Sequence, residues 1–327
     1  MGKKLIIYTL CSGRYGNQLI SFSHLYSFWY QHQDKFNLLV FSFWPFAKTL
    51  AFNKTNSYGY FNNEKKDHVF FKGLFFLFCL LPKKLQNVFM SFFIIVFHFK
   101  GYCLPNCQSL MSNKFFMWNH IRKFCLGEDR VELDLGTQEA VEKLSAKHSV
   151  IAGFKFKSLR LLKQHKSRVV NQLMFQKNYY ELAEAFINRV KKEHGCIIGV
   201  HIRIGDRKND SNIETSVAVF IKHMRHLQSQ VTESVAFVLT SDNELELAEF
   251  DDLNVYLCTG SAGQGGHFIE SIIELSLCKY LLINNTTFSG WASFIGDVPL
   301  FMVTPDRTKG FLLEEAQDFS VVGGFIE

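Results

Sequence analysis

The sequence predicts an α/β protein whose C-terminal part is a doubly wound parallel sheet. From Cys196 onward, apolar segments of four to six residues alternate with helical patterns. Strands that are apolar on both faces are typical of parallel sheets covered by helices. Polar residues concentrate directly after these segments, where such a sheet binds its ligands. The length of 327 residues exceeds one ordinary core and predicts two domains.

The N-terminal part is predicted to begin with a strand, a turn and a helix. Residues 4–10 read KLIIYTL and end at a glycine-bearing turn, after which apolar residues recur at helical spacing. A second strand is predicted at 38–41. Residues 156–194 have the pattern of a helical connector that ends before Gly195. The predicted parts are an N-terminal α/β domain at 1–155, the connector at 156–194 and a C-terminal domain at 195–327.

The C-terminal domain is predicted to contain five strands and four helices. The strands are residues 196–201, 235–240, 255–258, 281–284 and 300–303. The helices are residues 215–230, 244–250, 266–279 and 286–295. Because parallel strands share their carboxyl edge, we expect the polar residues that follow them to lie together.

Charge is distributed unevenly along the chain. Residues 1–125 hold 15 Lys/Arg and 3 Asp/Glu, a net charge of +12, whereas residues 126–327 hold 21 Lys/Arg and 27 Asp/Glu, a net charge of −6. A basic half favours an anionic partner, such as lipid headgroups or a phosphorylated acceptor. Nucleic acid is not expected as the partner, because the basic residues are scattered among Phe-rich runs and are not grouped with exposed aromatic residues.

Residues 69–99 contain two apolar runs around Pro82-Lys83-Lys84. Neither run reaches the roughly 18 residues that cross a bilayer. Two interpretations remain open: a pair of buried core helices, or a hairpin at a membrane surface with the two lysines at the headgroups. The N-terminus lacks a signal-peptide pattern, and the eight cysteines lack disulfide or zinc spacing. We therefore expect a cytoplasmic protein with reduced thiols, peripheral at the inner membrane face under the second interpretation.

The residues that follow the predicted strands indicate a nucleotide-diphosphate site. Arg203 follows the first C-terminal strand and is suited to a paired phosphate contact, and residues 284–289 form a polar turn at a helix N-terminus, which attracts anions. No Walker A sequence or dinucleotide-binding glycine motif is present. Structural alternatives stay open: an Arg203–Asp206 ion pair, a hydrogen-bonded His201, and capping roles for Asn17 and the hydroxyls of the polar turn.

Three ordered segments carry a resemblance to a known family. Residues 13–18 read GRYGNQ and resemble its GxxGNQ loop, and residues 201–206 read HIRIGD and resemble HxRRxD. Residues 275–280 and 285–294 read LSLCKY and NTTFSGWASF, and resemble LMSxCxH and NSTFSWWAAW. The chain thus resembles GDP-fucose-dependent fucosyltransferases, most closely the α-1,2-fucosyltransferase-like bacterial enzymes. It departs from them at Ile204, which replaces an arginine, and at Gly290, which replaces an aromatic residue.

The resemblance implies a GT-B-like fold, with two Rossmann-like domains facing a cleft. It implies GDP-fucose in the C-terminal domain, a glycan acceptor on the N-terminal side, and inverting transfer that requires no metal or other cofactor. Asp251 and Asp252 are adjacent and do not form the Asp-x-Asp pattern suited to manganese. Arg203 is the arginine that the family places on the donor β-phosphate, where a cation stabilises the charge that develops on the leaving group.

The predicted site residues combine the resemblance with the strand-end pattern. An acceptor hydroxyl needs a general base. Asp210 or Glu214 is the candidate, and Arg203 is the catalytic cation. The predicted donor-binding residues are Gly16, Asn17, His201, Arg203, Asp206, Asp242, Glu270, Thr286, Thr287 and Ser289. Asp242 and Glu270 are assigned to the nucleoside, and no residue is assigned to a metal.

The predicted activity is transfer of fucose from GDP-fucose to a glycan hydroxyl. We expect the acceptor to be a growing surface polysaccharide on a lipid carrier, because the N-terminal half is basic and Phe-rich. Two alternatives remain open: a glycosyltransferase that uses another nucleotide sugar, and a non-catalytic nucleotide- or glycan-binding protein with the same fold.

Overall fold

A computed structural model describes residues 3–9, 15–40, 100–102, 133–146, 149–152, 156–204, 217–304, 307, 309–323 and 325. The chain divides into two compact units, Met1–Met174 and Phe175–Ile326. Each unit has its own parallel sheet. The segment 69–99 and the candidate residues Asp206, Asp210 and Glu214 lie outside the described residues.

The first unit contains a four-stranded sheet. The described strands of the whole unit are β1 (Lys4–Thr9), β2 (Phe36–Val40), β3 (Lys100–Tyr102), β4 (Leu133–Asp134), β5 (Ser149–Ala152) and β6 (Phe156–Lys157). Its described helices are α1 (Tyr15–Gln31), α2 (Gln138–Ala146), α3 (Leu159–Gln164) and α4 (Lys166–Gln172). The sheet has the order β2-β1-β5-β3 with every pairing parallel, and β4 and β6 form a separate parallel pair.

α1 is buried along most of its length and packs on α3 and α4. Its polar residues are accommodated inside because each has a nearby partner. The hydroxyls of Ser23 and Ser27 donate to carbonyls one turn earlier, at 2.6 and 2.8 Å. His24 Nδ1 accepts from the backbone N–H of Ser158, the N-cap of α3, at 3.1 Å. The histidine therefore joins two helices of the first unit.

The second unit contains a five-stranded parallel sheet. Its strands are β7 (Cys196–Ile202), β8 (Val235–Ser241), β9 (Val255–Leu257), β10 (Tyr280–Ile283) and β11 (Leu300–Met302). Its helices are α5 (Lys177–Lys191), α6 (Val217–Gln228), α7 (Phe268–Ser276) and α8 (Thr287–Gly296). Short 3₁₀ turns lie at Leu247–Phe250, Leu313–Glu315 and Phe319–Val321.

The predicted elements of the C-terminal sheet are confirmed, with ends that differ by a few residues. One differs in type, since the short helix predicted at 244–250 is a 3₁₀ turn. β7 and β8 are buried at every residue, as continuous apolar strands of a covered parallel sheet should be. α6 packs on one face through Phe220 and Met224. Within the described residues, no helix is long and apolar enough to span a bilayer.

The strand order places a topological switch point between β7 and β10. The sheet reads β11-β10-β7-β8-β9, so the chain leaves β7 toward β8 and β9 and later returns to the opposite side of β7. At the carboxyl edge His201 pairs with Ile283 in the ladder of β7 and β10. Ligands of open α/β sheets bind at this kind of reversal. The fold therefore directs attention to the residues that follow β7 and β10.

Candidate functional site

The exit of β7 is held by side chains from both neighbouring strands. The backbone N–H of Arg203 donates to Asn284 Oδ1 at 2.7 Å, and the backbone N–H of Ile204 donates to Asp242 Oδ1 at 2.8 Å. Asn284 follows β10 and Asp242 follows β8. The two oxygens satisfy N–H groups beyond the end of the ladder. They fix the path of the backbone that carries the Arg203 side chain, which is half-buried.

His201, Thr286 and Ser289 form a buried group that we call the imidazole cluster. His201 Nδ1 lies 2.6 Å from Ser289 Oγ and 3.1 Å from Thr286 Oγ1, and the two hydroxyl oxygens are 2.7 Å apart. Only 6% of His201 is exposed, and its ring centroid lies 4.8 Å from that of Phe288. The cluster joins the end of β7 to the start of α8 by polar groups that satisfy one another.

Thr286 is also the N-cap of α8, because its hydroxyl oxygen accepts from the backbone N–H of Ser289 at 3.3 Å. The N–H of Gly290 donates to the Thr286 carbonyl at 3.0 Å. The N–H groups of Thr287 and Phe288 make no hydrogen bond within the described part of the chain. Two donors at the positive end of a helix dipole therefore remain for an anion.

A second buried group lies where β9 leads into α7. The Thr259 hydroxyl oxygen is 2.7 Å from Glu270 Oε2 and 2.6 Å from Glu274 Oε1. The Thr259 backbone N–H also donates to Glu274, at 3.1 Å to Oε2. We call Glu270, Thr259 and Glu274 the carboxyl triad. Glu270 is 6% exposed and Glu274 is fully buried.

Glu274 of the carboxyl triad has a pKa that differs from that of a free glutamate. Burial raises the pKa of Glu274, and the nearby Glu270 raises it further, while hydrogen bonds from Thr259 and Cys258 act in the opposite direction. Burial also raises the pKa of the Cys258 and Cys278 thiols beside it. Within the described residues, Cys196, Cys258 and Cys278 are buried thiols without a disulfide.

The structure brings several predicted site residues together in the second unit. His201, Arg203, Thr286, Thr287 and Ser289 meet at the switch point, and Asp242 holds the loop beside them. Glu270 lies at the β9–α7 connection of the same carboxyl edge. Gly16 and Asn17 belong to the first turn of α1 in the first unit, where the Asn17 carbonyl accepts from Ser21 Oγ at 2.8 Å.

The sequence did not indicate Glu274 as a site residue, nor that the Asn284 side chain would accept from the backbone N–H of Arg203. The signal for Glu274 was its spacing: Glu270 and Glu274 are four residues apart in the apolar helix FIESIIELS, so they share one face. The signal for Asn284 was its position directly after a buried strand. Within the described residues, no three His, Cys, Asp or Glu side chains gather as a metal site requires.

No protein-family model matches the chain, and no curated protein matches it by sequence. Solved structures are similar. A mutant of Arabidopsis thaliana FUT1 in complex with GDP has a TM-score of 0.52 at 11% identity, covering 97% of this chain and 74% of that chain. The apo form of POFUT1 has a TM-score of 0.51 at 13% identity, covering 90% of this chain and 95% of that chain. These similarities confirm the predicted α/β, GT-B-like fold class, in which each unit is built on a parallel sheet.

Proposed function

We propose that the chain is a fucosyltransferase-like glycosyltransferase that moves fucose from GDP-fucose to a glycan hydroxyl. The observation that carries the proposal is the convergence of Arg203, the imidazole cluster and two unused N–H groups at the switch point of the second unit. The three motifs that resemble the HxRRxD-type family favour fucose as the sugar. The GDP bound to the FUT1 structure of the same fold is consistent with a guanosine diphosphate donor.

The diphosphate is assigned to the start of α8. The N–H groups of Thr287 and Phe288 and the helix dipole attract phosphate oxygens, while Thr286 and Ser289 hold this turn against His201. The hydroxyls of Thr286 and Ser289 thereby support the donor site through the backbone that they fix. The role of Thr287 is direct, through its backbone N–H.

Arg203 is assigned to the β-phosphate. When the bond between the sugar and GDP breaks, negative charge grows on the β-phosphate and positive charge grows on the sugar ring. A guanidinium held in place before the reaction stabilises the leaving group without reorganisation. The hydrogen bonds to Asn284 and Asp242 hold the backbone of Arg203 in place. Inverting transfer that requires no metal belongs to the same proposal and follows from the family resemblance.

The nucleoside is assigned to the region of Asp242 and Glu270, whose carboxylates accept hydrogen bonds from hydroxyl and amino groups. The acceptor hydroxyl needs a base, and Asp210 or Glu214 is proposed for that role, with Asp206 binding the donor or tying down the loop after β7. Gly16 and Asn17, from the family's GxxGNQ loop, are proposed as further donor contacts.

The acceptor side is assigned to the first unit. The net charge of +12 on residues 1–125 and the apolar segment 69–99 favour a lipid-linked glycan at the inner face of a membrane, where the protein would bind peripherally. This assignment makes surface-polysaccharide synthesis the proposed biological role of the α-1,2-fucosyltransferase-like activity.

The test is release of GDP from GDP-fucose by wild type, Arg203→Ala and Arg203→Lys, with acceptor glycans supplied. Arg203→Ala is expected to lose at least about a hundredfold in rate, the size typical of removing one transition-state charge partner. Arg203→Lys keeps the charge without the planar fork and should fall between. Arg225→Ala is the control, because Arg225 lies on α6 and forms an exposed ion pair with Asp252.

Three outcomes separate the alternatives. Equal turnover by wild type and Arg203→Ala would contradict the site assignment. Turnover of a different nucleotide sugar, in a panel of donors, would keep the fold and site but replace fucose. GDP binding without turnover of any donor would indicate a non-catalytic binding protein.

A further inference from the structure

The carboxyl triad contains more acceptors than donors if both glutamates are ionised. The Thr259 hydroxyl carries one hydrogen, yet its oxygen lies within hydrogen-bond distance of both a Glu270 oxygen and a Glu274 oxygen. With two carboxylates, one of these short contacts would join lone pairs and contain no hydrogen. A buried contact of that kind is strongly unfavourable. One of the two carboxyl groups must therefore donate a proton to Thr259.

The position of each glutamate in α7 decides which one holds the proton. Glu270 lies in the first turn, at the positive end of the helix dipole, where a negative charge is stabilised. Glu274 lies in the last turn, at the negative end, and is more deeply buried. Both effects disfavour an ionised Glu274. Among the described residues, the other titratable groups near the pair are Cys258, Cys278 and His267, and Lys191 acts on Cys278.

We propose that Glu274 is a positioning residue that stays protonated at neutral pH, donates to Thr259, and so presents Glu270 as an oriented anion at the carboxyl edge of the sheet. Oε1 of Glu274 carries the proton, and Oε2 accepts from the Thr259 backbone N–H. The Thr259 hydroxyl then donates to Glu270 Oε2. Every donor of the triad has an acceptor in this arrangement, with one negative charge in place of two.

The second oxygen of Glu270, Oε1, is the atom that would accept a hydrogen bond from the ligand. It makes no hydrogen bond within the described residues. The backbone at Gly266 approaches the other oxygen so closely that a Cβ there would lie 2.6 Å from Glu270 Oε2. Since this inference rests on the proposed function, the hydroxyl donors that Glu270 is oriented to accept are those of the donor nucleoside. Glu274 acts only through Thr259 and Glu270.

The test separates the proton from nucleotide binding. Infrared difference spectra of wild type and Glu274→Gln, taken at neutral pH without nucleotide, are expected to show the carbonyl stretch of a protonated carboxylic acid only in wild type. Carbon-13 carboxyl NMR of glutamate-labelled wild type supplies the same answer without a variant. Absence of a neutral glutamate in both measurements would overturn the proposal.

The second readout is GDP affinity by calorimetry. Glu274→Gln keeps a donor toward Thr259 and should bind GDP within about twofold of wild type, whereas Glu270→Gln loses the anion and should bind about tenfold more weakly or worse. Thr259→Val should resemble Glu270→Gln, with Thr259→Ser as its control. The reverse pattern, a silent Glu270→Gln and a damaging Glu274→Gln, would place the proton on Glu270 and overturn the assignment. If wild type fails to bind GDP, the proposed function fails, while the spectra still test the proton.

Discussion

The imidazole cluster and the carboxyl triad lie at the same edge of one sheet but solve burial in different ways. The imidazole cluster is built from groups that both donate and accept, so each polar atom can find a partner without a net charge. The carboxyl triad is built from acceptors around a single hydroxyl, and it closes only when one carboxyl keeps its proton. Under the proposed function, the same edge presents backbone donors to a phosphate at α8 and a carboxylate to a nucleoside at α7.

The largest effect is expected from the loop that covers the carboxyl triad. A Cβ at Gly260 would lie 2.1 Å from the backbone oxygen of His267, a contact that only a backbone shift relieves. Gly260→Ala should therefore lower the free energy of unfolding by about 2–3 kcal/mol. Gly265→Ala is the matched control: its φ is +77° but nothing lies within 4 Å of the added Cβ, so about 1 kcal/mol is expected.

Urea unfolding of the two glycine variants measures this difference. Equal losses would contradict the close approach of Gly260 to the backbone of His267 as the source of the larger cost.

A somewhat smaller effect is expected from the imidazole cluster. Thr286→Val removes the cap of α8 and the hydroxyl shared with His201 and Ser289. The free energy of unfolding should fall by about 1–2 kcal/mol, the usual cost of a lost cap or buried hydrogen bond. Thr286→Ser keeps the hydroxyl and should lose much less. If the valine and serine variants have the same denaturant midpoint, the cluster does not stabilise the start of α8.

The smallest effects are expected in how the free energy of unfolding changes with pH. The buried groups His223 and Glu274 change it in opposite directions. His223 is fully buried against Phe311, and burial together with the nearby Arg307, Lys222 and His226 side chains lowers its pKa. Below pH 6.5 the unfolded chain takes up a proton that folded His223 refuses, so stability falls as pH falls. His223→Leu should reduce this acid-side loss.

The pKa of Glu274 is raised, so the sign is reversed. Above the ordinary glutamate value of about 4.5 the unfolded chain releases a proton that folded Glu274 retains, and its contribution to stability falls as pH rises toward the folded pKa. Glu274→Gln should flatten that part of the profile. Thermal unfolding of both variants across pH 4–8 provides the check; unchanged slopes in either variant would mean that the group does not titrate as its burial requires.

The sequence predicts much of the second unit because its strands are continuous apolar runs bounded by polar turns. β7 and β8 are examples, and Arg203 and Thr286 were placed at the correct edge by the same pattern. The two-residue strands β4 and β6 were not predicted, since so short a segment has no periodicity. The helix α1 and the strand β2 were predicted from equally local signals.

Hydrogen bonds between residues of different secondary-structure elements could not be predicted from the sequence. Glu274 is hydrogen-bonded to Thr259, which follows β9, and Asp242 accepts from the backbone N–H of Ile204, which follows β7. A glutamate in a helix is exposed far more often than buried. Only the three-dimensional pairing shows that this one is enclosed.

The proposed function requires a donor diphosphate to bind at the β7–β10 switch point. A crystal structure of the protein with GDP tests it most directly. We expect phosphate oxygens that accept from the N–H groups of Thr287 and Phe288 and contact the Arg203 guanidinium, with the nucleoside directed toward Glu270. A nucleotide bound elsewhere, or an Arg203 side chain that does not reach the phosphates, would contradict it.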